Sequence, residues 1–415
     1  MTETINLTTS FIKVKVSLIA ILSILLISCD AISEPAPSIS KTPEKKYVFP
    51  IGDFDATQID GNPKWEFNTG GNINVPMGGT ERLVLAIVSN GQNRSKLFAI
   101  KVEDGTLAWS HDIDGIPTGG PVSHGDNIYI GTKHGTLICI STSDGNLIWE
   151  NSIGNSMVGP PIVNDMGIFL SAGEVYRLSL EGKVIWKEKF AVRSVRPLSY
   201  RNGILVVIAS DNMLYLLNAN NGSKRNGYKV WFSASGGAVI DSSTVYITGD
   251  RSFVQALDIN SEDYLFGRAI RWWWTKAWLY GLASTPHYPP GYLWQKRGLG
   301  GKGDLSEPIK ISENNHLIQS ISRTKKGTVL RLDPITGEVM WKFSDPNSVF
   351  TDSAVLLDKS LILSTKSGNN IILDHNDGTI IHEFQIEKIS QGPIRIQNKL
   401  IMGISDGTLV AIDLN

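Results

Sequence analysis

Cysteine, net charge and long apolar runs are all scarce in this chain of 415 residues. Its two cysteines, Cys29 and Cys139, lie in no CxxC or Cys/His spacing, so neither a disulfide framework nor a zinc site is indicated. A formal net charge of −1 gives no electrostatic footprint for nucleic acid. Cys139 belongs to the apolar run Leu137–Ile140, which predicts a buried thiol.

Sequence signatures of catalysis are missing as well. The seven histidines are scattered, without an HxH or HxxxH pair, and no GxSxG motif occurs. The glycine-rich stretch Gly298–Gly303 lacks the spacing of a phosphate-binding loop. The recurring Asp-Gly pairs, such as Asp104-Gly105, are expected to be hairpin turns and not calcium ligands, because they fall between strands. We therefore predict no catalytic residue, no metal ligand and no cofactor.

The N-terminus carries an apolar run, Val16–Ile27, that follows two lysines and is interrupted only by serines. A helix needs about 20 residues to cross a bilayer core, so this run is too short to span and fits a signal peptide. It ends in Leu26-Ile27-Ser28-Cys29, which resembles the bacterial lipobox. That resemblance implies a signal peptide over residues 1–28 and a lipidated Cys29, with an ordinary secretory signal as the alternative. Residues 29–62 are rich in proline and charge, which predicts an extended tether.

One phrase recurs along the rest of the chain: an apolar strand, a turn with glycine, and a strand carrying tryptophan. One copy consists of Leu137–Ile140, Asp144-Gly145 and Trp149. Two further strand signals precede the next phrase, so each repeat supplies the four strands of a propeller blade. Eight apolar phrases predict an all-β, eight-bladed β-propeller of four-stranded antiparallel blades over residues 63–415.

The two ends of this repeat region complement each other. The strand around Trp65 has no apolar phrase before it, and Leu409–Asp413 has no tryptophan after it. We therefore predict that the N-terminal strand pairs with the C-terminal strand and closes the ring. The recurring indole should fill the wedge between blades and donate its N–H to a turn of the next blade. The residues assigned to this role are Trp65, Trp109, Trp149, Trp186, Trp231, Trp294 and Trp341, and His382 stands in the seventh repeat.

The phrase resembles the tryptophan-docking repeat of pyrroloquinoline-quinone-type propellers, over about residues 63–415. Within that superfamily, a lipoprotein of this length is similar to the BamB family of the outer-membrane β-barrel assembly machinery. The resemblance implies a membrane-anchored periplasmic scaffold that binds envelope proteins and is not an enzyme. Quinoprotein oxidoreductases share the repeat, although the adjacent cysteines that many of them carry are absent here. A quinoprotein oxidoreductase and an envelope ligand-sensing propeller are the alternatives.

The location of such a lipoprotein is open between two membranes. The BamB-like resemblance favours the outer membrane. Asp30, directly after Cys29, resembles the signal that retains enteric lipoproteins in the inner membrane. In both cases the resemblance implies a protein that faces the periplasm.

Two segments are candidates for partner binding. The insertion 261–297 combines cations with Trp272, Trp273, Trp274 and Trp278, residues suited to binding hot spots and to membrane interfaces. The alternatives are that these rings pack the insertion onto its own blade, or that Trp272 is the docking tryptophan of that blade. The sequence fits a helix and a strand equally well. Ser194-Val195-Arg196 is similar to the Ser-Leu-Arg element of BamB, which implies contact roles for Val195 and Arg196. The family's following residues differ here, and for Arg196 an ordinary surface position is the alternative.

Overall fold

The computed structural model describes residue 57 and residues 59–414, with gaps. All described residues lie in the second of two compact units, Val48–Asn415. The gaps are 90–92, 191–193, 195, 231, 242, 262–266, 285–290, 300–303, 306–308, 312–315, 323–326, 347–348 and 358. The predicted signal peptide, Cys29 and most of the tether therefore lie outside the described residues.

The described residues form antiparallel sheets in which neighbours in sequence are also neighbours in space. The first strand is β1 (Trp65–Asn68). Sheet 1 contains β2 (Gly78–Gly79), β3 (Leu83–Ser89), β4 (Arg94–Lys101) and β5 (Leu107–Asp114). Sheet 2 contains β6 (Val122–His124), β7 (Asn127–Gly131), β8 (Thr136–Ser141) and β9 (Leu147–Ser152). Sheet 3 contains β10 (Ile162–Asn164), β11 (Gly167–Ala172), β12 (Glu174–Leu178) and β13 (Val184–Glu188).

The next three sheets continue the same order. Sheet 4 contains β14 (Ser199–Arg201), β15 (Ile204–Ile208), β16 (Met213–Asn218) and β17 (Lys224–Lys229). Sheet 5 contains β18 (Ala234–Asp241), β19 (Thr244–Gly249), β20 (Phe253–Asp258) and β21 (Tyr292–Lys296). Sheet 6 contains β22 (Asp304–Leu305), β23 (Ile309–Ile311), β24 (His316–Ser322), β25 (Gly327–Leu332) and β26 (Val339–Asp345).

Two more sheets complete the set. Sheet 7 contains β27 (Phe350–Leu356), β28 (Ser360–Thr365), β29 (Asn369–Asp374) and β30 (Ile380–Gln385). The closing sheet contains β31 (Ile389–Ile396), β32 (Lys399–Ile404) and β33 (Thr408–Asp413), with β1 as its fourth strand. Within sheet 5, a 3₁₀ helix (Asp250–Ser252) precedes β20, and helix α1 (Gly267–Leu279) lies between β20 and β21.

The predicted number of eight four-stranded blades is wrong. Seven sheets of the described residues have four strands, whereas sheet 6 has five. In sheet 6, β22 and β23 both pair with β24, so the position of one first strand is divided between two short strands. Leu305 lies opposite Ile321 and Ile309 lies opposite Ile318, so four positions on one side face three on the other, and one regular ladder does not fit both pairings. The fold is an all-β propeller of four-stranded antiparallel blades with this one departure.

The middle strands are mostly apolar because neighbouring sheets cover both of their faces. All five residues of β15 are buried, and so are all six of β32. Strands buried on both faces read as continuous apolar runs, whereas half-exposed strands alternate. The apolar clusters follow the same plan, since each draws residues from consecutive sheets. One joins Ile204 of sheet 4 to Val245 of sheet 5, and another joins Ile362 of sheet 7 to Leu400 of the closing sheet.

The first and last strands of the described residues meet in the closing sheet, as predicted. Strand β1 pairs antiparallel with β33, with Trp65 opposite Ala411 and Phe67 opposite Leu409. The same residues pack against sheet 1, where Trp65 shares a buried cluster with Val84. The closing sheet thus contacts sheet 7 on one side and sheet 1 on the other, and this closes the ring of sheets.

First strands of consecutive sheets approach each other closely, which explains their Gly-Pro sequences. A Cβ atom on Gly78 would collide with the carbonyl oxygen of Pro121 in the next sheet. A Cβ atom on Gly119 would lie 2.6 Å from the ring of Pro160. Only glycine leaves room for this convergence, so the first strands lie innermost and the fourth strands outermost.

Candidate functional site

The indole N–H groups of six tryptophans cross the junctions between sheets. Each donates to a backbone carbonyl just after the third strand of the next sheet, and so satisfies a polar group that burial would otherwise leave unpaired. The bonds run from Trp65 to Val102 (2.8 Å), Trp109 to Thr142 (2.9 Å), Trp149 to Leu180 (3.2 Å), Trp186 to Ala219 (3.0 Å), Trp294 to Pro334 (2.9 Å) and Trp341 to His375 (2.9 Å).

Each of these rings lies on the glycine of the neighbouring hairpin turn. Gly105 has φ +74°, and a Cβ there would be 2.6 Å from the ring of Trp65. Asp104 accepts hydrogen bonds from the hydroxyl and the backbone N–H of Thr106. Those two bonds, the hydroxyl first, hold the pKa of Asp104 below its ordinary value. The Asp-Gly pairs are therefore hairpin turns, as expected from the sequence.

In sheets 1 to 7, a β-bulge in the outermost strand aims the docking residue at the next sheet. In sheet 2, Trp149 lies opposite Cys139 and Leu147 opposite Ile140, so that Ile148 is the extra residue. The same register shift occurs in sheets 1 and 3 to 7. Because a bulge re-aims side chains, the two residues before the docking position face solvent: Leu147 is 49% exposed and Ile148 is 50% exposed.

These exposed apolar residues form a repeated surface on the outermost strands. We define the outer-edge surface as Leu107 of sheet 1, Leu147 and Ile148 of sheet 2, and Val184 and Ile185 of sheet 3, all of them exposed. Among the described residues, β9 and β13 each pair with a single strand, which leaves one edge of each strand without a β partner. Equivalent exposed residues in sheets 6 and 7 are Val339, Met340, Ile380 and Ile381.

Sheet 4 has an amide in place of an indole. Asn226 lies opposite Leu216 at the docking position, and its Nδ2 donates to the carbonyl of Ser261 at 2.9 Å. The hydroxyl of Tyr228 donates to the same carbonyl at 2.9 Å. Trp231, to which the sequence assigns this role, lies outside the described residues, so its docking role stays a prediction.

The segment Ser194–Arg196 lies at the junction of sheets 4 and 5. Ser194 is buried, and its hydroxyl is 3.4 Å from the carbonyl of Ile208. The Nε–H of Arg196 donates to the carbonyl of Ala234 at 2.6 Å, so this half-buried side chain links two sheets. Val195 lies outside the described residues. The predicted partner contacts of Val195 and Arg196 stay a prediction.

The aromatic insertion folds as helix α1 and the turn after it. We define the helix surface as Trp272, Trp273, Trp274, Trp278, Leu279 and Tyr280, all of them exposed. The rings of Trp272 and Trp273 meet edge to face at 4.8 Å, and the indole N–H of Trp274 donates to the carbonyl of Ser284 at 2.9 Å. The docking position of this blade belongs to Trp294. The hydrogen bond therefore assigns docking to Trp294 and not to Trp272, and partner binding by the exposed rings stays a prediction.

Ionisable groups give few candidates for chemistry. Cys139 is fully buried, as predicted, and burial raises the pKa of its thiol to about 11. No three His, Cys, Asp or Glu side chains of the described residues are grouped so as to hold a metal ion. No helix in the described part of the chain is long and apolar enough to cross a membrane.

Comparisons with known proteins agree with this architecture. A family model described as outer membrane protein assembly factor BamB matches residues 93–295. BamB from Moraxella catarrhalis superposes with a TM-score of 0.61 at 16% identity, covering 85% of this chain and 97% of that chain. The computationally designed Ika8 protein superposes with a TM-score of 0.61 at 12% identity, covering 83% of this chain and 97% of that chain.

Redox enzymes share the fold as well. Quinohemoprotein alcohol dehydrogenase ADHIIG from Pseudomonas putida HK5 has a TM-score of 0.60 at 10% identity, covering 86% of this chain and 78% of that chain. No curated protein matches this chain in sequence. The chain is thus a β-propeller, and its residues 93–295 resemble BamB.

Proposed function

We propose that this chain is a lipid-anchored propeller of the bacterial cell envelope that binds other proteins and assists outer-membrane protein assembly. The match of residues 93–295 to the BamB family model supports this role. The likeness to BamB from Moraxella catarrhalis, which extends over 97% of that chain, supports it further. The lipobox-like Leu26–Cys29 supports the anchor. On this proposal the fold serves as a rigid support for binding surfaces, and no residue needs to be catalytic.

The observation that carries the proposal is the outer-edge surface. It lies within the residues that match the family model, and it places apolar side chains on strands whose outer edges are unpaired. Such an edge offers backbone N–H and C=O groups to an extended segment of another protein. The exposed pairs Leu147 and Ile148, and Val184 and Ile185, add apolar contacts beside those hydrogen bonds.

The test is co-purification of the full chain from its own envelope, with identification of the bound proteins. We expect subunits of the barrel-assembly complex to be enriched. Because a charged side chain on an edge strand opposes β-pairing, the double variant Ile148→Lys, Ile185→Lys should lose these subunits. The matched control, Met340→Lys with Ile381→Lys, changes equivalent positions outside the matched residues and should keep them. Absence of the subunits from the wild-type preparation contradicts the proposal.

The anchor has a separate test. Replacing Cys29 by alanine removes the only thiol that the lipobox-like sequence offers for acylation. We expect Cys29→Ala to move the protein from the membrane fraction to the soluble periplasmic fraction, whereas Cys139→Ala leaves it in the membrane. Separation of the two membranes then distinguishes the outer-membrane location that BamB suggests from the inner-membrane location that Asp30 suggests. Equal membrane fractions for both variants contradict the lipid anchor.

A quinone-dependent oxidoreductase is the second candidate, supported by the likeness to quinohemoprotein alcohol dehydrogenases over 86% of this chain. Its test is the reduction of an electron-accepting dye by the purified full chain, after addition of pyrroloquinoline quinone and calcium, with primary alcohols as substrates. Substrate-dependent dye reduction supports this candidate. A rate equal to that of the quinone and calcium without protein counts against it.

A further inference from the structure

Helix α1 has most of its large apolar side chains in solvent. Trp273 is 68% exposed, and Trp278, which is the least exposed along with Trp274, is still 42% exposed. With about 150–250 Å² for a whole aromatic side chain, the four helix tryptophans expose on the order of 400 Å². Soluble proteins rarely leave an apolar patch of this size uncovered unless it binds a membrane or a partner. The helix surface therefore has an occupant.

The charge of the helix favours an anionic occupant. Its sequence contains Arg268, Arg271 and Lys276 and no Asp or Glu, in a chain whose formal net charge is −1. The ammonium group of Lys276 lies 5.5 Å from the ring centre of Trp272, so one cation is held within the aromatic surface. Tryptophan and tyrosine beside lysine and arginine are the residues that concentrate at the headgroup level of bilayers.

The arrangement of the aromatic residues fits a lipid surface better than a protein groove. Trp272, Trp273 and Trp274 are consecutive, so they point in three directions about 100° apart around the helix. A protein groove contacts one face of a helix, through residues at i, i+3, i+4 and i+7, whereas fluid lipid accommodates a broad apolar surface. Exposed Tyr280 and Leu282 extend this surface past the end of the helix.

We propose that helix α1 lies in the plane of a bilayer that carries anionic headgroups, with the helix surface inserted at the headgroup level. Thirteen residues at about 1.5 Å each give a length near 20 Å, less than the roughly 30 Å of a hydrocarbon core. The helix therefore lies on the membrane and does not span it. This contact is independent of the outer-edge surface, so either proposal can fail without the other.

The experiment measures quenching of tryptophan fluorescence by brominated lipids in vesicles of phosphatidylcholine and phosphatidylglycerol. No tryptophan precedes Trp65, so the predicted signal peptide and anchor add no signal and the full chain can be used. We expect quenching of wild type. The double variant Trp272→Ser, Trp273→Ser should lose about half of it, because two of the four exposed helix tryptophans are gone. Lys276→Gln should weaken binding about fivefold at low salt.

The matched control is Met340→Ser with Ile381→Ser, which removes exposed apolar side chains that belong to neither proposed surface and should leave quenching unchanged. Equal quenching of wild type and Trp272→Ser, Trp273→Ser overturns the proposal, and so does the absence of quenching in wild type. If the emission changes with protein concentration without lipid, a second copy of the chain covers the helix surface. If Trp272→Ser, Trp273→Ser loses co-purifying envelope proteins that the control variant keeps, a protein covers the helix surface. Both results also overturn the lipid contact.

Discussion

The Nε2 atom of His382 lies 2.7 Å from the carbonyl oxygen of Ile59, although 323 positions separate the two residues. A carbonyl oxygen only accepts, so Nε2 carries the hydrogen. In six other junctions an indole N–H bonds to a carbonyl just after the third strand of the next sheet. At this junction residues 59–62, which precede β1, take the place of that turn. Gly61 has φ +75° and contacts Phe384, and Asn62 donates its N–H to Asp60 at 2.9 Å.

This contact makes the ring junction sensitive to His382. His382→Ala should lower the free energy of unfolding by about 1–2 kcal/mol, because the half-buried carbonyl of Ile59 loses its donor. His382→Trp is the control and should keep the wild-type value, since an indole N–H makes this bond in the other junctions. Urea unfolding measures both variants. Equal midpoints for wild type and His382→Ala contradict the prediction.

Two tryptophans separate the contribution of the indole ring from that of its hydrogen bond. Trp109→Ala should lower the free energy of unfolding by about 3–5 kcal/mol through the cavity that it leaves. Trp109→Phe removes the donor to Thr142 at a cost of about 1 kcal/mol, apart from the change in ring size. Trp341→Phe should cost less, because Arg331 also donates to the carbonyl of His375, at 3.0 Å. Urea midpoints in which Trp341→Phe is the more damaging of the two contradict this account.

Substitutions at two glycines with nearly the same φ distinguish backbone strain from steric contact with a neighbouring side chain. Gly105 has φ +74° and lies against the ring of Trp65, whereas Gly203 has φ +75° and a Cβ atom there would have no neighbouring atom within 4 Å. Gly203→Ala should therefore cost only the left-handed backbone strain, about 1–2 kcal/mol. Gly105→Ala should cost about 1–3 kcal/mol more, because the indole must move. The midpoints of thermal unfolding compare the two variants. Equal midpoints would show that the indole of Trp65 moves aside at no cost in stability.

Most of the fold could be predicted from the sequence, because the residues that specify each blade lie close together in the chain. Apolar strands, Asp-Gly turns and docking tryptophans recur within a few residues of each other, so each repeat indicates four strands and one indole. Closure could be predicted because one tryptophan strand and one apolar strand were left over at opposite ends. The five strands of sheet 6 could not be predicted, since the division of one strand position depends on pairing with β24.

Two spacings compete for the docking position of sheet 4. In most repeats the docking residue follows the turn glycine by four positions, as Trp149 follows Gly145. Gly227 and Trp231 satisfy this spacing, but so do Gly222 and Asn226. The structure uses Gly222, which lies against the ring of Trp186. Sequence favours the aromatic residue, whereas the preceding sheet decides which glycine forms the turn.

The same spacing places the start of the packed chain earlier than the repeats suggest. Gly61 precedes Trp65 by four positions, although no apolar strand introduces this turn. Ile59 is buried beside Leu414, so this residue, which the sequence assigns to the tether 29–62, belongs to the core of the closing sheet. For helix α1, the sequence fits a helical face and a strand equally well. The choice depends on how the insertion leaves β20 and returns to β21.

Burial of Cys139 predicts a thiol that resists modification while the ring is folded. Its side chain is fully buried in a cluster with Leu137 and Leu170, and Tyr129 lies opposite it on the neighbouring strand. Burial raises the pKa of the thiol to about 11 from 9.0, so at pH 8 both the thiolate fraction and access to reagent are low. Ellman's reagent should react with Cys139→Ala and wild type to the same extent under native conditions. In urea only the wild type should show the additional thiol.

Because the pKa of Cys139 is raised, we expect the free energy of unfolding of the ring to fall as the pH becomes alkaline. The folded state prefers the protonated thiol, so this contribution to stability is complete below pH 9 and is lost as the pH rises toward 11. Cys139→Ala removes the titrating group and should flatten the fall in unfolding midpoint between these two pH values. Burial also raises the pKa of Tyr129, whose ordinary value is 10.0, so a steeper fall at higher pH should persist in the variant. Parallel pH profiles for wild type and Cys139→Ala from pH 8 upward would mean that the thiol does not titrate differently in the folded and unfolded chains.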